Sequence, residues 1–414
     1  MNVEFISANP TGPLTLGNGR GGFCGDVLAN ILNKAGYKAA REYYINDAGE
    51  QVRKLGHSVF GDSEAVYKGK YIDDLRNRLK SVLAKASADE TGERAAKIIL
   101  EEMVKPEVKK MGINFDVWFS EKTLHEKGEV KKILDYLKKK NFTYEQDGAS
   151  WFKTTQFGDD KDRVLIKADG ETTYLASDIA YLKNKFGRGF EKLIFFWGAD
   201  HYGYIERIKA AAGALGYKRE QTDILIMQLV KLFQNGQEVR MSKRTGIYVA
   251  MDELIEEVGL DATRFFFLSR AANTHLDFDM DLAKEKSDKN PVYYVQYAYA
   301  RICSILAKIP NSKSQITNKS QIQKLLNHKS ELNLIKQLIR LPEIIEDTSK
   351  DYQIQRLPQY SIDLATAFHA FYRDCQVINY DKNLEQARLA LIGATQIVLQ
   401  NTLSLMGISA PEKM

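Results

Sequence analysis

Three cationic side chains and two hydroxyl groups fall within the stretch 240–246, which has the sequence Arg-Met-Ser-Lys-Arg-Thr-Gly. The stretch follows an apolar, strand-like segment and ends at a glycine. A lysine on a glycine-ended loop suits the stabilisation of the negative charge that develops on a departing pyrophosphate. Lys243 is therefore a candidate catalytic cation. A solvated loop that happens to be rich in charge is the alternative interpretation.

A second candidate site is the glycine-rich turn at residues 9–21, between a first strand and a helix. Backbone N–H groups and the helix dipole at such a position favour a phosphate. Thr15 and Asn18 could add hydrogen-bond donors, and Arg20 could add a full positive charge. The turn matches neither G-x-x-x-x-G-K-[ST] nor a clean G-x-G-x-x-G. A turn that needs glycine for its backbone alone is therefore the open alternative.

A third candidate is the stretch 197–203, Trp-Gly-Ala-Asp-His-Tyr-Gly. It follows an apolar run that is typical of a strand buried on both faces. Ligands of open α/β sheets bind at the carboxyl ends of such strands. His201, one of six histidines, is therefore a candidate site residue, although a lone histidine is more often a structural hydrogen-bonding group.

The elements that must position these stretches alternate between strand and helix in the first half of the chain. A helix with apolar residues at helical spacing runs from about 17 to 36. Alternating strands and helices predict an α/β, doubly wound parallel sheet of the Rossmann-like type. The predicted strands are 3–6, 39–45, 163–167, 193–197 and 224–230.

Two regions depart from this alternation. Residues 54–160 are rich in lysine and glutamate and mostly helical, and they predict an insertion into the nucleotide fold. Strand signals end near residue 290, so the sequence predicts a catalytic domain at 1–289 and an all-α bundle at 290–414. Residues 312–329 predict a solvated linker. The predicted helices of the bundle are 291–308, 321–341, 364–378 and 383–406.

Composition excludes several classes of protein. The chain has 414 residues, of which 44% are hydrophobic, and a formal net charge of +5. No apolar run could span a bilayer, and the N-terminus does not have the pattern of a signal or transit sequence. Cys24, Cys303 and Cys375 lie far apart, which argues against a disulfide framework or a structural zinc site. We expect a cytoplasmic protein without membrane contact or a metal centre.

Together the three stretches are more specific than each one alone. Residues 9–21 stand where class I aminoacyl-tRNA synthetases carry H-x-G-H, and residues 240–244 correspond to the K-M-S-K-S loop of that class. Within the class, the chain resembles the arginyl-tRNA synthetase family over essentially its whole length. The segments that carry the resemblance are 3–13, 41–49, 197–203, 261–268, 290–298 and 405–414.

The resemblance implies a pocket for arginine. The family would hold this substrate with Glu4, Ser7 and Asn9 near the first strand, and with Tyr174 and Asp178 further along the chain. A carboxylate such as Asp178 can pair with a guanidinium group through two hydrogen bonds, which a lysine could not reproduce. For Glu4, an ion pair with a neighbouring base is the alternative interpretation.

The resemblance also implies a site for ATP accompanied by Mg²⁺. Both histidines of H-x-G-H are replaced, by Thr15 and Asn18. A similar T-x-G-N pattern occurs in tryptophanyl-tRNA synthetases, which are active, so we expect a tolerated variant. Thr15, Asn18, Lys243 and Arg244 are the implied catalytic residues. The implied ATP contacts are Gly17, Gly19, Asp200, His201, Met227, Val230 and Ser242.

The C-terminal helices resemble the anticodon-binding bundle of the family, in which exposed aromatic side chains stack on unpaired bases. The candidates for this role are Tyr297, Phe368, Tyr372 and Met414. For Phe368, a place in the helix core is an equally good interpretation.

The implied activity is an arginine–tRNA ligase that acts as a monomer on L-arginine, ATP and tRNA(Arg). Two alternatives stay open: an adenylating paralogue with a different acceptor, and a non-catalytic RNA-binding paralogue. The family normally carries a further domain before the first strand. Either that domain is naturally missing here, or the sequence is shortened or starts at a misassigned position.

Overall fold

The computed structural model describes residues 1–83, 85–239, 250–308 and 325–414. Within these residues the strands form one five-stranded and two three-stranded sheets. In chain order the strands are β1 Asn2–Glu4, β2 Ala40–Ile45, β3 Val117–Ser120, β4 Thr143–Gln146, β5 Ala149–Phe152, β6 Arg163–Ile166, β7 Leu193–Gly198, β8 Thr222–Met227, β9 Val230–Gln234, β10 Gln237–Val239 and β11 Leu276–Asp279.

The five-stranded sheet has the order β3-β2-β1-β7-β8, and all of its neighbours are parallel. The predicted doubly wound parallel sheet is therefore confirmed. Val3 of β1 pairs with Arg41 on one side and with Ile194 on the other. The strand order reverses at β1, so a crevice opens at the carboxyl ends of β1 and β7, where ligands of such sheets bind.

Helices account for most of the remaining described residues, and none of these helices is long and apolar enough to cross a membrane. A π-helix, Leu100–Val104, joins α5 to α6. The α-helices are α1 Leu16–Lys34, α2 Glu50–Phe60, α3 Lys70–Arg78, α4 Lys80–Leu83, α5 Ala88–Ile99, α6 Lys105–Lys110, α7 Lys122–Glu126, α8 Glu129–Lys139, α9 Tyr174–Gly187, α10 Ile205–Ala214, α11 Met251–Val258, α12 Leu260–Leu268, α13 Met280–Lys284, α14 Pro291–Ala307, α15 Lys329–Leu338, α16 Leu341–Asp351, α17 Arg356–Asp374 and α18 Lys382–Leu405.

Three details of the predicted sheet are wrong. The predicted strand at 163–167 is β6, which belongs to the antiparallel sheet β4-β5-β6 instead of the parallel one. The predicted strand at 224–230 is two strands, because the chain leaves β8 and pairs again as β9 with β10 and β11. The stretch 54–160, predicted as an insertion, contributes β3, which pairs in parallel with β2 at the edge of the main sheet.

The C-terminal part of the described chain is helical from α14 onward, as predicted. The helix α16 was missed, and α17 begins at Arg356, earlier than the predicted start. Most of the stretch 312–329 and the beginning of the predicted helix 321–341 lie outside the described residues. Leu364, Phe368 and Phe371 on one side of α17 are fully buried and form part of the core of the bundle.

A buried arginine joins the bundle to the sheet domain. Arg264 of α12 forms an ion pair with Asp26 of α1. Its Nε donates to the carbonyl oxygen of Met406 at 2.8 Å, and its Nη1 donates to that of Met111 at 2.8 Å. The end of the bundle is therefore fixed directly to the helix that begins at the glycine-rich turn.

Candidate active site

The first segment of the site is the loop that ends at Thr15, the N-cap of α1. The Thr15 hydroxyl accepts a hydrogen bond from the Asn18 backbone N–H at 3.4 Å and donates to Asn18 Oδ1 at 2.8 Å. The Thr15 backbone N–H also donates to Asn18 Oδ1, at 3.0 Å. This capping box occupies both side-chain oxygens. Among the described residues, Asn18 Nδ2 has no partner and is the side-chain donor left for a ligand.

Gly17 and Gly19 have different roles in the structure of this turn. Gly17 is exposed in the first turn of α1, where backbone N–H groups have no partner within the helix. Gly19 is buried, and a Cβ there would lie 2.1 Å from the Sδ of Met251. Gly17 therefore leaves the N-terminus of α1 open to a phosphate, whereas Gly19 allows α11 to approach α1 closely.

Arg20 does not face this N-terminus, and the expectation that its charge meets a phosphate is wrong. The side chain is fully buried and points towards the interior. Its Nη1 donates to the carbonyl oxygens of Gln228 and Thr274, and its Nη2 to that of Ala271. Arg20 lies one helical turn after Leu16, on the buried face of α1. It fixes the segments that follow β8 and precede β11.

The carboxyl ends of β7 and β8 form the next part of the site. The register pairs Gly198 with Met227, so both strands end at the same edge of the sheet. A short 3₁₀-helix, Ala199–Tyr204, follows β7 and leaves Asp200 and His201 with side chains 81% and 59% exposed. These two side chains lie 3.6 Å apart. The structure therefore presents both at the predicted strand end.

The predicted adenine contacts lie beside this edge. Met227 ends β8 and is buried, and Val230 begins β9 and is half-buried. A Cβ on Gly21 of α1 would lie 4.0 Å from the Met227 side chain. The backbone between Met227 and Val230 is therefore close to α1.

Ser242, Lys243 and Arg244 lie outside the described residues, as does the whole of 240–249. The residue that follows, Ala250, forms an antiparallel bridge with Thr15. The chain that carries the predicted catalytic lysine is therefore attached directly beside the N-cap of α1.

Asp178 lies on α9 and is mostly buried. Its pKa is raised to about 8, mainly by burial and also by the negative charges of Glu121 and Glu4, whereas a hydrogen bond with Tyr204 lowers it. Among the described residues no lysine, arginine or histidine forms an ion pair with Asp178. Asp178 is thus a carboxyl group without a cationic partner in the part of the chain that the structure describes.

Glu4 has an internal partner. Its Oε2 lies 2.6 Å from the Nζ of Lys185, which is fully buried. The same ammonium group donates to Asn2 Oδ1 at 2.6 Å and lies 3.7 Å from Glu42. This geometry corresponds to the alternative interpretation, an ion pair with a neighbouring base. Of the two acids predicted to bind arginine, Asp178 is therefore the one without a cationic partner among the described residues.

Ser7, Asn9 and Tyr174 lie near the end of β1 and the start of α9. Ile6 and Ser7 have φ angles of 64° and 39°, a region that non-glycine residues rarely adopt and that often marks functional loops. Ser7 Oγ accepts a hydrogen bond from the Tyr44 N–H at 3.0 Å. Asn9 and Tyr174 are exposed and available to a ligand.

In the bundle, Tyr297 and Tyr372 are exposed, and the Arg301 guanidinium lies 5.3 Å and 4.6 Å from their ring centres. Met414 is exposed at the end of the chain. Phe368, in contrast, is completely buried, and its ring has no free face on which a base could stack. Its predicted role in anticodon binding is therefore wrong, because it belongs to the helix core.

Comparison with known proteins gives the same assignment for both halves of the chain. Residues 1–267 match the family described as tRNA synthetases class I (R), catalytic domain, and residues 295–414 match the DALR anticodon binding domain. The chain is 46% identical to the arginine–tRNA ligases of Carboxydothermus hydrogenoformans and Bacillus subtilis, over its full length and 78% of theirs. The chain belongs to the arginyl-tRNA synthetase family.

Solved structures agree with this family. A Campylobacter jejuni protein described as an arginyl-tRNA synthetase superposes with a TM-score of 0.89 at 35% identity, covering 100% of this chain and 93% of that one. The arginyl-tRNA synthetase of Thermus thermophilus is 24% identical, with a TM-score of 0.81 over 100% of this chain and 82% of that one. At that identity the likeness shows the fold alone.

One further acid close to Asp178 was not predicted from the sequence. Glu121 directly follows β3, is buried, and forms hydrogen bonds with Tyr44 and Ser177. Burial raises its pKa, and the nearest base among the described residues is His125, with Nε2 3.8 Å from Glu121 Oε1. The sequence signal that could have identified Glu121 is its position as an acid at the end of an edge strand, but that strand was assigned to the insertion.

No group of three or more His, Cys, Asp or Glu side chains that could hold a metal ion occurs in the described ranges. A Mg²⁺ ion that is bound to the phosphates of ATP is part of the substrate and requires no such group.

Proposed function

We propose that the chain is an arginine–tRNA ligase that acts in the cytoplasm as a monomer. In the first step, a carboxylate oxygen of arginine forms a bond to the α-phosphorus of ATP, and pyrophosphate leaves with the electrons of the broken P–O bond. In the second step, the 2′-hydroxyl of the tRNA 3′-terminal adenosine attacks the arginyl carbonyl group and AMP leaves. Membership of the family over both domains carries this proposal.

In this proposal the activation step depends on positioning and on charge stabilisation, without a covalent enzyme intermediate. The open N-terminus of α1 and the amide of Asn18 face the phosphates of ATP. Lys243 stabilises the departing pyrophosphate, and Mg²⁺ arrives with ATP and shares that task. Asp200 and His201 lie at the neighbouring strand end, where they can contact the nucleotide.

Arginine recognition follows from the charges of the pocket. Asp178 and Glu121 are buried carboxylates without a lysine or arginine partner among the described residues. A guanidinium group brings one positive charge and donates several hydrogen bonds in one plane, so that it can pair with one carboxylate and hydrogen-bond to the second. Partial burial raises the pKa of Tyr174, and the negative charges of Glu50 and Glu121 also raise it, so the tyrosine lies within electrostatic range of Glu121.

We further propose that the T-x-G-N variant of the signature motif is active. Thr15 orients Asn18 through the capping box, and Asn18 Nδ2 supplies a donor where the family usually has an imidazole. The exposed aromatic pair Tyr297 and Tyr372 supports tRNA as the acceptor over a small-molecule acceptor.

The test is aminoacylation of a tRNA(Arg) transcript with each of the twenty amino acids and MgATP. We expect charging with arginine alone. Arginyl-adenylate formation without transfer would favour an adenylating paralogue with another acceptor. Binding of tRNA without any adenylate, measured with tRNA present, would favour the non-catalytic RNA-binding paralogue.

A further inference from the structure

A buried carboxylate outside both signature motifs holds the loop that leads into α1. Glu107, on α6, is 6% exposed, and its Oε2 accepts a hydrogen bond from the Leu14 backbone N–H at 2.7 Å. No other hydrogen bond or ion pair of this carboxylate occurs within the described ranges. Burial of a carboxylate is costly, and one backbone hydrogen bond offsets only part of that cost. The position of Leu14 is therefore what the contact secures.

Leu14 is also held from its other side. Its carbonyl oxygen accepts a hydrogen bond from the Met251 backbone N–H at 3.1 Å. The next residue, Thr15, forms the antiparallel bridge with Ala250. Leu14 thus connects α6, the N-cap of α1 and the residue at which segment 240–249 rejoins the described chain.

The side chain of Met251 strengthens this junction. Its sulfur lies where a Cβ of Gly19 would be, so α11 and α1 pack in direct contact. Leu14 and Met251 are both fully buried. A shift of Leu14 would therefore be transmitted to both segments that face ATP, because a close-packed interior has no room to absorb it.

We propose that Glu107 is a positioning residue for adenylate formation. Through Leu14 it fixes the N-cap Thr15 relative to Ala250 and Met251, where the chain that carries Lys243 rejoins the described residues. This inference rests on the proposed function. It goes beyond that function because Glu107 belongs to neither motif and touches no substrate.

The charges around Glu107 come from three elements. Its pKa is raised to about 7, mainly by burial and also by Asp252 and Glu253 of α11, whereas the Leu14 N–H and Lys110 lower it. Tyr43 of β2 also lies within electrostatic range. An ionised carboxylate is the stronger hydrogen-bond acceptor. The hydrogen bond between the Leu14 N–H and the Glu107 carboxylate is therefore strongest above pH 7 and weakens as the pH falls through 7.

Two variants separate the hydrogen bond from the bulk of the side chain. Glu107→Gln keeps an acceptor oxygen, and we expect its rate of adenylate formation to stay within about threefold of the parent. Glu107→Leu keeps the volume but removes the acceptor. We expect it to slow adenylate formation by about 10–100-fold, the scale of a misplaced reacting group. Its affinity for tRNA and its KM for arginine should stay within about twofold.

The rates are measured per active site by single-turnover arginyl-adenylate formation with tRNA present. Asp159→Asn is the matched control, because this buried carboxylate pairs with Arg163 in the small antiparallel sheet. The control should lower Tm without changing the rate. A Glu107→Leu rate equal to that of the parent overturns the inference, whereas a parent that forms no adenylate overturns the proposed function instead.

If Glu107→Leu does not fold, the pH profile of Glu107→Gln keeps the proposal testable. At saturating arginine, the rate of the parent should fall relative to that of the Gln variant by up to about threefold between pH 8 and pH 6. A ratio that stays constant over this range would overturn the positioning role.

Discussion

At the N-terminus of α1 the side-chain oxygens of Thr15 and Asn18 are hydrogen-bonded to each other's residues, whereas in the proposed arginine pocket Asp178 and Glu121 are buried without a lysine or arginine partner among the described residues. To a ligand, the first region offers backbone N–H groups and one neutral side-chain amide. The second offers buried carboxyl groups whose ionised form needs a cationic ligand. A site whose ligand contacts come mainly from backbone N–H groups tolerates the exchange of side chains. A site whose ligand contacts come from buried charged side chains does not.

The comparison gives a physical reason for our proposal that the chain is active without the two motif histidines. The helix N-terminus and its dipole remain whatever side chain stands at positions 15 and 18. It also predicts that neutral replacements in the arginine pocket are costly. The following predictions test the two regions against each other, from the largest expected effect to the smallest.

Asp178→Asn should raise the KM for arginine by about 10–150-fold. This corresponds to the roughly 1.5–3 kcal/mol of a hydrogen bond to a charged group. The KM for ATP should not change. Steady-state pyrophosphate exchange with tRNA present measures both constants, and Asp169→Asn, an exposed acid on a turn, is the control. An unchanged KM for arginine in the Asp178 variant would mean that another acid binds the guanidinium group.

Asn18→Ala should slow adenylate formation by about 10–100-fold while ATP affinity stays within about threefold, because the donor acts mainly when charge builds on the phosphates. Thr15→Ala should have the smaller effect, since its hydroxyl is used to orient Asn18. Rapid-quench measurement of adenylate gives the rates. Loss of ATP binding in either variant would show that this region depends on side chains more than on backbone.

The affinity for arginine should rise with pH. The pKa of Asp178 is raised to about 8, and the guanidinium group binds the ionised form, so the KM should fall by about tenfold between pH 7 and pH 9. Glu121→Gln should lower the pKa of Asp178 and move this dependence to lower pH. A KM that is independent of pH in the parent would indicate that Asp178 is already ionised at pH 7.

The pattern of residues was enough to predict the parallel sheet, because β1, β2 and β7 carry compact apolar signals and are followed by turns. It was also enough to predict the strand-end position of His201. The edge strand β3 was assigned to an insertion because it has only four residues, and β6 was assigned to the wrong sheet because strand signals do not give partners.

The direction and burial of single side chains could not be predicted. Arg20 belongs to a turn that suits phosphate, but its position on α1 turns it into the interior. Phe368 lies on an amphipathic helix whose buried side depends on packing against other helices. Glu107 and its partner Leu14 are 93 positions apart. Such contacts follow from tertiary structure and leave no local signal.

The most direct test of the account is the number of protons released when arginine binds. Calorimetric titration at pH 7, with tRNA present and in two buffers of different ionisation enthalpy, gives this number. A buried carboxylate with a pKa of about 8 is mostly protonated at pH 7, so we expect release of close to one proton per arginine for the parent and none for Asp178→Asn. Binding of arginine without proton release by the parent, or equal release by the variant, would contradict the account.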